Sequence, residues 1–174
     1  MGDMKGRPAR DEAAEYYFRY IDRVEGDDIV ALLTAQLEQQ FGFLASISEE
    51  KSLHRYASDK WSIRQVLSHL SDCERLFLFR AFWFARGFDS PLPSFDEKTC
   101  AAALDADRIP WASHVEEFRS TRLSSLAFFR NLPEEAWVRR GVASGKLFTV
   151  RALAYLTAGH TVHHSEILRE RYGV

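Results

Sequence analysis

Three of the chain's six histidines fall within five residues, in Gly159-His-Thr-Val-His-His164. His160 and His164 stand four apart, so on a helix they project from one face, one turn above the other. Neutral imidazole is the commonest side-chain ligand for zinc, nickel and related ions, and an i, i+4 pair can hold one ion. A further histidine, His69, sits in Val66-Leu-Ser-His-Leu70. Three imidazoles would leave at least one coordination position open, as catalytic metal sites do and structural sites do not. The spacing also excludes chemistries. Thr161 stands where an H-E-x-x-H protease carries its glutamate, and G-x-S-x-G, the Walker A loop, G-x-G-x-x-G, paired C-x-x-C and the Glu-x-x-His of di-iron bundles are missing.

The surroundings of these residues favour ligation. His160 and His164 share a helix face with Leu153, Leu156 and Ile167, and His69 shares one with Val66, Leu76 and Trp83. Imidazoles on apolar stripes need a metal or hydrogen-bond partners, because an unpaired buried ring nitrogen is costly. A structural bundle with hydrogen-bonded histidines is the competing reading. His163 lies to the side of the pair, and His54 and His114 read as incidental. Cys73, four residues after His69, is a buried helix cysteine or a thiolate ligand. Asp72 and Glu166 are candidates to orient ligand histidines. Arg80 lies on the His69 side of its helix, about three turns along or ~16 Å by helix rise, and suggests an ion pair or an anion site. Arg119 and Arg122 interrupt the next apolar helix in the same way and read as structural, with snorkelling stems.

Long segments of helical periodicity must position these groups. The first runs over 27–47, with Leu33, Leu37, Phe41 and Leu44 on one stripe and Asp27 or Asp28 as cap. The second runs over 62–85, opened by a Ser62/Gln65 capping box and closed by Gly87. The third spans 107–131, and the fourth spans 149–172 with Gly173 as stop. Ahead of them, 11–23 reads as a short helix or turn packed across the bundle. No segment alternates with period two, so an all-α four-helix bundle is the economical solution. The connection between the second and third helices is long for a hairpin and implies a crossover. The second helix also carries Leu78 and Phe82 on its back, which predicts cover by the N-terminal segment or by a second subunit.

A length of 174 residues predicts a single domain over 1–174, with residues 1–10 flexible. A net charge of −2 argues against a nucleic-acid partner. The most apolar run, 76–85, is broken by Arg80 and is half the length of a membrane span. With no apolar leader and two cysteines, the chain reads as cytoplasmic with reduced thiols.

These motifs are similar to those of the DinB-like, or YfiT-like, superfamily. The resemblance runs from about Glu15 to Tyr172 and rests on Arg55-Tyr-Ala-Ser-Asp-Lys-Trp-Ser62, Val66-Leu-Ser-His-Leu-Ser-Asp72, Pro91-Leu-Pro-Ser-Phe-Asp96, Ala158-Gly-His-Thr-Val-His-His164 and Ile167-Leu-Arg-Glu-Arg-Tyr172. It implies an up-down-down-up bundle and a divalent metal, zinc or nickel, on His69, His160 and His164, with His163 outside the set. It also implies homodimers and, for characterised members, thiol-dependent transferase or isomerase chemistry with a low-molecular-weight thiol. The expectation is therefore a metal-dependent thiol S-transferase or hydrolase acting on a small electrophile. Arg80 is a possible substrate anchor, and no residue is assigned as general base. The competing function is a non-catalytic metal- or ligand-binding stress protein.

Overall fold

Capping chemistry fixes the ends of the long helices in the computed structural model, which describes residues 5–174. Helix α2 (Ile29–Ala45) starts where the Asp28 carboxylate accepts the amides of Val30 and Ala31 at 3.1 and 3.0 Å. Helix α3 (Ile63–Ala85) opens on the expected capping box, Ser62 Oγ accepting from Gln65 N at 3.1 Å and Gln65 Oε1 from Ser62 N at 3.0 Å. Helix α6 (Val150–Tyr172) starts on Thr149, whose Oγ1 accepts from Ala152 N at 3.1 Å, and stops at Gly173 with φ 65°. Helix α5 (Trp111–Arg130) begins later than its periodicity suggests. Pro110 sets the start, and Asp107 is drawn off to bind Arg55 and Ser62.

Side-chain pairs give the directions of the four long helices. Gln36 and Gln40 of α2 meet Ala158 and Ser165 of α6, so these two run parallel. Arg75 and Phe82 of α3 meet Glu117 and Phe128 of α5, so these also run parallel. Thr34 and Phe41 of α2 meet Arg130 and Arg119 of α5, which is an antiparallel pairing. The bundle is therefore up-down-down-up, and the long α3–α5 connection is the crossover that lets two successive helices run the same way.

A buried ion pair ties all four helices together at mid-height. Arg122 of α5 is fully buried, and its Nε and Nη2 donate to the two oxygens of Glu74 on α3 at 2.7 and 3.0 Å. Nη1 donates to Gln36 Oε1 on α2 at 2.7 Å, and Nη2 also reaches Thr161 Oγ1 on α6 at 3.0 Å. Arg122 is thus structural as expected, but it is locked in the interior rather than snorkelling to the surface. Arg119, by contrast, stays near the surface beside Glu116.

Smaller elements fill in around the bundle. Helix α1 (Glu15–Ile21) packs on α6 at Gly159, where a Cβ would fall 2.0 Å from the Tyr20 carbonyl oxygen. Close approach of the two backbones therefore requires glycine immediately before His160. Within the N-terminal lead, Arg7 donates to Val24 O at 2.5 Å and to Asp22 at 2.8 Å. The rest of the expected flexible lead, residues 1–4, lies outside the described residues.

Two elements depart from the sequence reading. A short helix α4 (Glu97–Ala103), capped by Asp96, lies in the crossover. An antiparallel hairpin of β1 (Arg140–Ala143) and β2 (Lys146–Thr149) precedes α6. Its strands are four residues each, too short for an alternating pattern, and the signal was the turn itself: Ser144 and Gly145 both have positive φ, 54° and 68°. The back of α3 is not covered by α1. Of the two residues expected there, Leu78 is half-buried and Phe82 is 37% exposed, and Phe79 beside them is 48% exposed.

Removing Glu74 would leave the Arg122 guanidinium buried without its counter-charge. Glu74→Met is expected to lower unfolding stability by about 3–5 kcal/mol, as is Arg122→Met, and the double variant Glu74→Met/Arg122→Met to recover much of the loss. Urea denaturation of wild type, both single variants and the double variant closes the cycle. Additive single losses would refute the coupling.

Candidate metal centre

Helices α3 and α6 cross antiparallel, and the crossing brings His69 against His160 and His164. One ring nitrogen from each of the three lies within 4.8 Å of the others. His69 Nε2 and His160 Nε2 are 3.3 Å apart, and the ring centroids of the three residues are 4.6–5.0 Å apart. His69 and His160 are buried and His164 is half-buried. His164 Nδ1 is buried with no hydrogen-bond partner. His114 Nδ1, outside the cluster, is in the same state, so the case for a ligand set rests on the convergence of the three rings rather than on this atom.

Burial, rather than a carboxylate, sets the electrostatics. Desolvation lowers the His69 pKa to about 4 and that of His164 to about 3, and it holds His160 well below its ordinary value, with the neighbouring imidazoles adding to the depression of both α6 residues. All three rings are neutral near pH 7, so each offers a lone pair. This is the protonation state in which imidazole ligates a cation.

The remaining candidates separate cleanly. His163 stands outside the set, half-buried, with its ring edge-on to Tyr20 at 5.3 Å. Cys73 Sγ lies 3.6 Å from both ring nitrogens of His69, and burial pushes its thiol pKa up, which favours the thiol over a thiolate. Asp72 does not hydrogen-bond a ring of the cluster. It pairs with Arg75 at 3.3 Å and accepts from Cys100 Sγ at 3.5 Å, and it acts on His69 only through its charge. Glu166 is drawn away by Arg23. His114, expected to be incidental, is buried and bonded through Nε2 to Ala106 O at 2.9 Å, while His54 is exposed.

Aromatic side chains that the spacing did not single out enclose the cluster. The Trp61 ring lies 5.0 Å from His69, and its carbonyl accepts from Tyr172 Oη at 2.7 Å. Tyr20 packs edge-on against His160 at 5.4 Å, and Phe77 does so at 5.8 Å. Burial drives the Tyr20 pKa to about 12, so its hydroxyl stays protonated. The sequence signal for Tyr20 was the aromatic run 16–20, and for Trp61 its place just before the α3 cap. A cavity of about 470 Å³ opens beside His160, walled by Tyr17, Tyr20, Leu76, Phe77 and Leu156, with Arg80 also lining it.

Fold and site together define a helical-bundle protein with a largely buried three-histidine cluster, one member of which, His160, lines a cavity. The DinB superfamily model matches residues 31–168, and the chain belongs to that superfamily. In three dimensions the chain is similar to YfiT from Bacillus subtilis, described as a probable metal-dependent hydrolase with an unusual four-helix bundle topology. The superposition has a TM-score of 0.67 at 18% identity and covers 97% of each chain. No curated protein matches the chain significantly in sequence.

The depressed histidine pKa values carry a stability consequence. The ordinary value is 6.5, and the folded values for His69 and His164 are about 4 and about 3. Below pH 6.5 the unfolded chain takes up protons that the folded chain refuses, so stability is fully present above that pH. Metal-free protein is expected to lose stability as the pH falls from 6.5 towards 4, with an upper slope of about 1.4 kcal/mol per pH unit for each histidine. Denaturation midpoints measured across this range check it, and His164→Gln should show a shallower fall than wild type.

Proposed function

We propose that His69, His160 and His164 hold a divalent metal ion, zinc or nickel, and that the chain is a metal-dependent enzyme acting on a small electrophile, as a thiol S-transferase or a hydrolase. The observation that carries this reading is the convergence of three neutral ring nitrogens, one from each histidine, beside a cavity of small-molecule size. Such an ion supplies Lewis acidity, stabilising the deprotonated form of a thiol or water near neutral pH. The thiol would be a low-molecular-weight cofactor, the class that the resemblance to the DinB-like superfamily implies. The chain's own residues shape the reaction space. His69, His160 and His164 set the open side, while Trp61, Tyr20 and Phe77 exclude bulk water from around the rings. In S-transfer the sulfur bonds to the electrophilic carbon, the leaving group departs with its electron pair, and the thiol proton passes to solvent. The two free thiols Cys73 and Cys100 fit a reducing compartment, the expected cytoplasm. Among the described residues no helix is long and apolar enough to cross a membrane.

Purified protein is expected to carry zinc or nickel by elemental analysis and to bind either ion at micromolar concentration in calorimetry, with His160→Ala lowering affinity at least about tenfold. Failure of wild-type protein to bind both ions would end the metal reading. Metal-loaded wild type should turn over a chlorinated nitrobenzene with one of several small thiols above the rate of His160→Ala. Metal binding without turnover on such a panel would favour the non-catalytic metal- or ligand-binding alternative.

We also infer a homodimer through the outer face of α3. Phe79, Phe82 and Phe88 are 48%, 37% and 46% exposed there, with Phe88 stacked on Trp83 at a centroid distance of 4.2 Å. Sedimentation velocity is expected to give a dimer that Phe79→Asp/Phe82→Asp converts to monomer with unchanged helix content. A monomeric wild type would contradict it.

A further inference from the structure

Arg80 is the one residue lining the cavity whose buried charge the described protein leaves unanswered. It is 3% exposed, and among the described residues no carboxylate lies within ion-pair distance of it. The comparison with the other buried arginines is direct. Arg122 faces Glu74 and Arg64 faces Glu49, each in an ion pair, and the half-buried Arg151 likewise faces Glu12. Arg80 has only neutral acceptors: its Nη2 donates to Ser144 Oγ at 2.8 Å and to Pro93 O at 3.4 Å. Its Nε is buried with no partner at all. Desolvation lowers its pKa, and the groups that act in the opposite sense are Tyr17 and Cys73, both neutral at pH 7. A buried guanidinium held in place by a hairpin turn and a proline carbonyl, with a free N–H, is a site built for an anion from outside.

The position of Arg80 in the cavity indicates what kind of anion. Cys73, Leu76, Phe77 and Arg80 of α3 line one wall, and Leu156 and His160 of α6 line the cavity as well. Eleven residues separate His69 from Arg80, ~16 Å along the helix axis, and the side chains between them are largely apolar. Asp96, Glu97 and Lys98 at the rim are exposed and of mixed sign, so solvent screens them while Arg80 acts in a low dielectric.

We propose that this cavity binds a small carboxylate with an apolar middle, its carboxylate seated on Arg80 and its other end facing the histidine cluster. A planar carboxylate matches the guanidinium fork and supplies the counter-charge that Arg80 lacks. The assignment of the far end as the reacting end rests on the metal-dependent reading above. The Arg80 anchor does not, because none of its contacts involves the three histidines.

The test uses a series of ω-phenyl alkanoates, with 4-phenylbutyrate as the central probe, titrated calorimetrically into the full chain with and without zinc. The matching primary amide and phenylphosphonate serve as comparison ligands. The expected result is saturable carboxylate binding with or without zinc, with the amide about tenfold or more weaker. Arg80→Met should lose that preference while keeping wild-type zinc affinity and helix content, and Arg80→Lys should retain part of it. Phosphonate binding tighter than every carboxylate would overturn the carboxylate assignment. Equal binding of acid and amide, no binding across the series at millimolar concentration, or an unchanged preference in Arg80→Met would overturn the proposal. Loss of zinc binding with the carboxylate preference intact would instead count against the metal reading, so the two failures are distinguishable.

Discussion

The Arg122–Glu74 pair is the constraint around which the bundle is arranged. Both residues are buried, at 0% and 2% exposure, so the desolvation of each charge is offset only if the geometry of the pair is held closely. That geometry is shared among four helices, because Gln36 and Thr161 complete the guanidinium's hydrogen bonds. A slide of any helix by one residue would break at least one of these contacts. The site sits next to this lock. Thr161 follows His160 directly, and Glu74 follows His69 by five residues, so the same contacts that satisfy Arg122 set the relative height of α3 and α6 at the histidines.

Around the lock, desolvation shapes the chemistry. The rings of Tyr20, Trp61 and Phe77 close on the imidazoles, and burial keeps the imidazoles neutral, the form that can donate a lone pair. Glycine at 159 matters here through geometry alone. It allows the backbone of α1 to approach α6 closely enough for Tyr20 to cover His160. The hairpin before α6 serves the cavity, since Ser144 in its turn holds the guanidinium of Arg80. The cavity lining therefore combines a neutral nitrogen donor, His160, with a charge without a counter-charge.

Much of this was legible in the residues. The four long helices, the Asp28 and Ser62 caps and the Gly173 stop follow from local chemistry that operates within a few residues. The i, i+4 relation of His160 and His164 is likewise a local property. Phe41 shows the limit of periodicity, since it belongs to the apolar stripe of α2 yet is 37% exposed under Arg119. The hairpin and α4 were not legible, because short elements leave too few residues for a pattern and are stabilised by tertiary bonds such as Leu92 N to Val142 O at 2.9 Å.

What the sequence determined by itself is the set of groups that could act and the faces from which they project. Helix geometry converts spacing into direction, so His69, His160 and His164 had to stand on inward stripes once their helices formed. What only the tertiary structure decided is which of those groups meet and what each one faces. Asp72 and Glu166 have the right type to orient the histidines but are claimed by Arg75 and Arg23. Arg80 and Arg122 look alike as interruptions of an apolar stripe, yet one meets a glutamate and the other meets only neutral oxygens. The physical reason is that a side chain's partner lies across the bundle, tens of residues away in the chain, and only packing brings the two within hydrogen-bond reach.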